Sequence, residues 1–348
     1  MNTRSSRDTA SLPFTVEVTR GPMVESRHMV IAAISDAKGR LVRSWGDVES
    51  PVYLRSAIKP LQALPLIESG AADAFNVSAK ELSLACASHT GEPIHVAAVT
   101  GWLARMGLGI GDLECGSHWP TYDAAARALA AEGKKPTAAH NNCSGKHTGF
   151  LCTALHLQEG VKGYISFDHP VQQRIVRVLE DFTGLDLSRA PVGIDGCSTP
   201  TIGIPLDKAA TAIARFADPA KLGADRAAAC LRLQKAIAAH PEMIAGSDRL
   251  CTAINRAAKG RVIAKVGAEA VYLAALPDAG LGVAIKALDG TTRAAEAALG
   301  ALLDELGVLD EEIHRAIDPY VRPELHNRNN RVVGHVRAVI PPRTGVGD

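Results

Sequence analysis

The segments Arg261-Val-Ile-Ala-Lys-Val266, Ala270-Val-Tyr-Leu-Ala-Ala275 and Gly282-Val-Ala-Ile-Lys-Ala-Leu288 follow one another with Gly- and Pro-bearing links between them. Each is short and rich in β-branched or aliphatic residues, so the run reads as an antiparallel meander. Downstream, apolar spacing predicts a helix over 292–306 and a last strand from Arg331 to Ile340. Strand signals also open the chain, at Phe14–Thr19, Met29–Ser35 and Leu41–Trp45, and Asp36-Ala-Lys-Gly39 suits a hairpin reversal between the last two. From Ser56 to Asn255 the texture is helical: segments 92–106, 122–132, 169–183, 205–216 and 224–239 space their apolar residues three and four apart.

Strands at both ends with helices between them predict an α+β fold. Residues 1–55 and 260–348 would form one antiparallel sheet with packed helices, 56–259 a mainly helical region, and a catalytic cleft would lie between them. The strand-helix alternation of a doubly wound nucleotide fold is absent, as are internal repeats and low-complexity tracts. At about 150 residues per domain, 348 residues make one large domain or two that share an interface.

Lys and Arg number 38 against 37 Asp and Glu, a net charge of +1, which gives no field for gripping nucleic acid or an anionic membrane. Aromatic residues are 4% of the chain, too few for a stacking surface, so the expected partner is a small molecule. The opening MNTRSSRDTASLPF carries charges where an export signal needs an apolar run, and no stretch is apolar enough for a membrane span. Seven cysteines, thinly spread, read as reduced thiols, so the expected location is the cytoplasm.

Several motifs fail. Asn141-Asn-Cys-Ser-Gly-Lys-His147 has the Gly-Lys of a P-loop, but His140 and His147 stand where Gly and Ser or Thr are needed. Gly107, Gly109 and Gly111 make G-x-G-x-G with no preceding strand, and neither a zinc-protease helix nor a G-x-S-x-G elbow occurs.

What survives is Ser56-Ala-Ile-Lys59. S-x-x-K is short enough to arise by chance, and a second copy, Ser35-Asp-Ala-Lys38, lies in the hairpin turn where nothing would desolvate its lysine. Ser56 instead precedes the apolar segment Leu61–Ile67, which places it at a helix start with Lys59 one turn on. A serine hydroxyl needs a base within reach, and a lysine becomes one near neutral pH only when burial or a second cation, here Arg55, lowers its pKa. The competing reading is a helix cap beside a surface lysine. Two further elements weigh against it. Ser88-His89-Thr90 follows a helix over 79–86, and Lys265-Val-Gly267 ends a strand, which is the order of motifs in Ser-Lys hydrolases of the β-lactamase and penicillin-binding class.

Cys143, Lys146 and His147 fall at the start of a helix expected over 146–157, whose free N–H groups favour a thiolate. Cys197, in Gly193-Ile-Asp-Gly-Cys-Ser-Thr-Pro200, would complete a thiolate pair. Two sulfurs and a nitrogen suit Zn²⁺, although no Cys-x-x-Cys is present and lysine is an unusual ligand; the alternative is two small buried side chains. Cys115, Cys152 and Cys230 read as core.

Leu54-Arg-Ser-Ala-Ile-Lys-Pro60, Cys86-Ala-Ser-His-Thr-Gly-Glu92, Asn142-Cys-Ser-Gly-Lys-His147, Asp195-Gly-Cys197, His240-Pro-Glu-Met243 and Lys265-Val-Gly267 together resemble the rhizobial-type, or class 3, L-asparaginases of the asparaginase II family. The resemblance implies a fold related to serine β-lactamases and glutaminases, a homodimer, and hydrolysis of L-asparagine to aspartate and ammonia. It pairs Ser56 with Lys59 and Ser88 with Lys265, makes Cys143, Lys146 and Cys197 a zinc site that modulates the reaction, and gives the substrate to Arg55, His147 and Asp195, with Cys251 a further pocket residue. Thr90 departs from the Ser or Asn that relatives often carry. The expected mechanism is attack by Ser56, deprotonated by Lys59, on the side-chain amide, with Ser88 and Lys265 relaying protons. A glutaminase or β-lactamase-like amidohydrolase and a non-catalytic zinc protein are the alternatives.

Overall fold

A computed structural model describes residues 12–341 of the chain. The reading of the first residues as lacking an export signal concerns a segment of which 1–11 lie outside the described residues.

In chain order the strands are β1 (Phe14–Arg20), β2 (Met23–Asp36), β3 (Leu41–Trp45), β4 (Pro51–Tyr53), β5 (Val192–Ile194), β6 (Pro200–Pro205), β7 (Ile263–Gly267), β8 (Val271–Leu276), β9 (Leu281–Ala287), β10 (Glu324–His326) and β11 (Val332–Val339). The large sheet is antiparallel throughout, in the order β10-β11-β1-β2-β9-β8-β7, with β3 also paired to β2. N-terminal and C-terminal strands therefore share one sheet, and β2 joins the two sets by pairing Val30 to Asp36 along β9.

All of β8 is buried, because both faces of the central strands are covered. Helix Leu206–Ala217 packs on β2, β8 and β9, and helix Thr292–Glu305 on β1, β2, β8, β9 and β11. This explains why the meander reads as nearly continuous aliphatic runs rather than alternating ones. Gly282 of β9 lets the first of these helices approach: a Cβ there would collide with the Ala210 carbonyl and the Ala214 amide.

The region 56–259 is mostly helical but carries strands the apolar spacing did not reveal. β5 and β6 form a small sheet with β4, in the order β4-β6-β5. Gly193, Pro200, Gly203 and Pro205 interrupt the hydrophobic pattern, and the prolines fall at strand ends where a missing N–H costs little. The helix expected over Leu61–Ile67 is split into Lys59–Gln62 and Leu64–Glu68, because Pro60 and Pro65 fit only a first helical turn and each starts a new one. Helix Glu311–Val321 and strand β10 were not anticipated.

Helix Ser144–His156 sets the position of the site. From Ser144 to Ala154 every residue is buried, so Lys146, His147 and Thr148 point into the interior on a helix with no solvent face. Polar groups in such a place need partners.

Candidate active site

Ser56 lies in the 3₁₀ turn Arg55–Ile58, and Lys59 opens the next helix. β7 presses on this turn at Gly267, where a Cβ would fall 2.5 Å from the Leu54 carbonyl oxygen and 3.0 Å from the Ala57 nitrogen. A glycine is thus what lets the turn carrying Ser56 sit against the strand carrying Lys265.

Lys59 and Lys265 are 0% and 1% exposed, and their ammonium groups meet at one hydroxyl. Lys59 Nζ lies 3.0 Å from Ser88 Oγ and Lys265 Nζ 2.9 Å from the same atom. Lys59 Nζ also donates to Cys143 Sγ at 3.1 Å and to the Ala87 carbonyl. These three acceptors use all three of its hydrogens. Accordingly no hydrogen bond joins Lys59 to Ser56 among the described residues, contrary to the one-turn pairing read from the motif. The buried stem carries the amine to the Ser88 loop, and among the described residues the half-buried Ser56 hydroxyl has no hydrogen-bond partner.

Lys265 differs. Among the described residues its only other acceptor is the Val266 carbonyl at 2.7 Å. Burial, aided by the charges of Lys59 and Arg249, pushes its pKa down to about 7. A lysine lowered this far can give up its proton near neutral pH, and its free amine can then accept the Ser88 proton.

The Ser88 loop is held from behind by the His240-Pro-Glu-Met243 segment, for which the sequence offered no role. Ser88 N–H donates to the Ile244 carbonyl at 2.9 Å, Ser83 Oγ to the His240 carbonyl at 2.8 Å, and His95 Nε2 to the Glu242 carbonyl at 3.0 Å. Cys251 Sγ accepts the Val266 N–H at 3.2 Å and lies 3.5 Å from Tyr272 Oη, so it packs under the strand of Lys265.

The second cluster surrounds Cys197. Lys146 Nζ donates to Cys197 Sγ at 3.1 Å and to Thr199 Oγ1 at 2.9 Å. Burial opposes the charge on Lys146, but Cys197, Cys143 and Asp195 outweigh it and hold its pKa above the ordinary value. The Cys143 and Cys197 side chains act on each other and their pKa values move in opposite directions. The influence of Cys143, then that of Lys146, holds Cys197 well below the ordinary thiol value, and the influence of Cys197, with burial, holds Cys143 above it. Asn141 fixes the Cys143 backbone: its Oδ1 accepts the Cys143 N–H at 2.8 Å and its Nδ2 donates to the Cys115 carbonyl at 2.8 Å.

Arg55 and Asp195 are paired, with Nη2 to Oδ1 at 2.6 Å and Nε to Oδ1 at 2.8 Å. Arg55 adopts φ 51°, a left-handed conformation that a non-glycine residue rarely takes and that is often found at functional sites. Asp195 begins a turn closed by its N–H to the Thr199 carbonyl, with Ser198 at φ 70°. This turn links the ion pair to Cys197.

The structure thus brings Lys59, Ser88, Lys265 and Cys143 into one hydrogen-bonded group, and Lys146, Cys197 and Thr199 into a second. His147 stands beside the second, 2.7 Å from Tyr164 Oη through Nδ1. Thr199, Asn141 and Tyr164 escaped the sequence reading. Thr199 was visible inside its motif, but Tyr164 sits in a turn-rich segment with no periodicity to mark it. Of the three side chains expected to hold a cation, Lys146 and Cys197 are in contact; among the described residues no group of three or more His, Cys, Asp or Glu could hold a metal ion.

The family model described as L-asparaginase II matches residues 16–338. No match was found among curated protein sequences. Among solved structures, the chain is similar to the crystal structure of a beta-lactamase from Mycobacterium bovis, with 14% identity over 79% of this chain and 94% of that one, at a TM-score of 0.40.

Proposed function

Since the chain belongs to the L-asparaginase II family and is therefore an amidohydrolase, we propose that it hydrolyses L-asparagine to L-aspartate and ammonia through an acyl-enzyme on Ser56. The observation that carries this reading is the convergence of Lys59 and Lys265, from distant parts of the chain, on Ser88 Oγ at 3.0 and 2.9 Å in a buried site.

Ser88 is enclosed by both lysines, whereas the Ser56 hydroxyl is uncommitted, half-buried and next to Arg55. Ser56 Oγ attacks the side-chain amide carbon, forming the C–O bond of a tetrahedral adduct. Its proton passes to Lys59 as Lys59 gives one through Ser88 to the free amine of Lys265. That proton returns along the same path to the departing nitrogen, the C–N bond breaks, and ammonia leaves. Water then attacks the β-aspartyl ester with Lys265 again as the proton store, and Ser56 is released. Hydrogen bonds at catalytic centres are often formed only with substrate bound, so the missing Ser56 to Lys59 contact at rest is compatible with this path.

Arg55 takes the substrate α-carboxylate and Asp195 the α-ammonium. At rest these residues neutralise each other, and a zwitterion replaces one ion pair with two. A simple amide offers neither charge and leaves the pair closed.

The donor set around Cys197 fits Zn²⁺ once two protons are lost: a thiolate on Cys197, the Cys143 sulfur, and the Lys146 nitrogen 3.1 Å from the thiolate. Cys143, Lys146 and Cys197 would hold the ion, which when bound supplies a Lewis acid beside the substrate. The proposal includes homodimeric assembly and a cytoplasmic location; no described helix is long and apolar enough to cross a membrane.

The test is an acyl-enzyme trapped with a slow substrate and located by peptide mass mapping, with ammonia release from asparagine, glutamine and a β-lactam assayed in parallel. An adduct on Ser56 and turnover of asparagine are expected, with activity abolished in Ser56→Ala. An adduct on Ser88 moves the nucleophile, and preference for glutamine or lactam changes the substrate.

A further inference from the structure

Tyr164 is completely buried, and its phenol has two neighbours. The Glu114 backbone N–H donates to Oη at 2.8 Å, and His147 Nδ1 lies 2.7 Å from Oη. The ring is fixed edge-on to the imidazole, with centroids 5.4 Å apart at 75°. Its carbonyl accepts the Gln172 side chain at 2.8 Å, which ties the residue to helix Pro170–Thr183.

These contacts leave one arrangement of hydrogens. A phenol has one proton to give and two lone pairs to receive. The Glu114 amide can only donate, so it occupies a lone pair. If His147 carried its proton on Nδ1 and donated as well, the phenolic proton would have no acceptor among the described residues, and a buried unsatisfied donor costs about 1–3 kcal/mol. Tyr164 therefore donates to Nδ1, and the neutral imidazole carries its hydrogen on Nε2.

Nε2 is buried and has no hydrogen-bond partner. With Nδ1 engaged by Tyr164, Nε2 is the ring nitrogen left without a partner among the described residues. A buried donor without a partner is satisfied when an acceptor enters the site, such as an oxygen atom of the substrate.

We propose that Tyr164 is a positioning residue that fixes His147 as its Nε2–H tautomer, so that His147 presents a buried N–H, and no lone pair, to an acceptor oxygen of the substrate. His147 is thereby kept out of the metal-ligand set, since ligation needs the lone pair that this tautomer removes. The substrate half of this statement rests on the asparaginase reading; the tautomer does not.

The experiment is two-bond ¹H–¹⁵N correlation of the histidine rings in the full-length ¹⁵N-labelled protein, prepared metal-free, at pH 7.5, with His147 assigned by its loss in His147→Gln. The wild type should show protonated Nε2 and bare Nδ1. Tyr164→Phe should shift His147 toward the Nδ1–H form or a mixture, and lower kcat/KM for asparagine by about 10–100-fold. His147→Gln, which retains an N–H donor, should keep more activity than His147→Leu. A wild-type His147 protonated on Nδ1, or an unchanged tautomer in a folded Tyr164→Phe, overturns the proposal. If Tyr164→Phe does not fold, the wild-type spectrum alone decides. An enzyme inactive on asparagine but with the Nε2–H tautomer refutes the substrate reading and leaves the tautomer standing.

Discussion

The assignment of Lys265 as proton store makes a quantitative claim about pH. With its pKa near 7, the free-amine fraction is about 0.1 at pH 6 and about 0.9 at pH 8. The value of kcat should therefore rise about tenfold across that interval and level off above it. A lysine at its usual pKa would instead leave the rate climbing tenfold per unit through pH 9. The assay is steady-state ammonia release at saturating asparagine from pH 5.5 to 9.5, so that titration of free substrate does not enter. Arg249→Met removes one of the charges that depress Lys265 and touches none of the reacting groups, so the midpoint should move upward. Lys265→Arg, which cannot release its proton, should lose the rising limb with the activity. A flat profile below pH 8, or a midpoint that falls in Arg249→Met, would sink the role given to Lys265.

The same buried charge has a stability signature: the unfolded chain holds the Lys265 proton up to about 10.5 and the folded chain only to about 7, so this group raises stability between those values. Relative to Lys265→Met, wild-type unfolding free energy should climb by up to about 1.4 kcal/mol per pH unit in that window, and urea titrations giving parallel curves would contradict it. Gly267→Ala should push the Ser56 turn off β7 and cost roughly 100-fold in kcat; unimpaired kcat with an unshifted melting temperature would count against that contact as a positioning device. Asp195→Asn should raise KM for asparagine by about 10–100-fold and leave Arg55 accessible to free carboxylates, with unchanged KM the contrary result. Because Cys143 and Lys146 hold their protons at neutral pH, Zn²⁺ uptake should release about two protons, measurable by calorimetry in buffers of different ionisation enthalpy; release of none would remove these two from the ligand set.

The β7 to β9 meander and most long helices were legible because their apolar periods survive in the sequence, as in Ala224–Ala239. The small sheet was not, because Gly193, Gly203 and two prolines carry its backbone geometry and erase its alternation. The residues Lys59, Ser88 and Lys265 could be named from short motifs, yet their pairing could not. A lysine stem reaches about as far as the next element, so which hydroxyl it meets depends on packing, and burial sent Lys59 to Ser88. Tyr164 illustrates a further limit: its significance is the arrangement of two donors and one acceptor around an oxygen, which leaves no trace in spacing.

The join between β2 and β9 also has a consequence for synthesis. Val30–Ile34 is wholly buried and pairs on one side with residues 283–287, some 250 positions later in the chain. At about 5–20 residues per second, a ribosome leaves that hydrophobic edge unpartnered for on the order of tens of seconds. A nascent chain in that state is open to strand addition by its neighbours, so soluble yield should depend on translation speed and chaperone supply more steeply than on the stability of the finished enzyme.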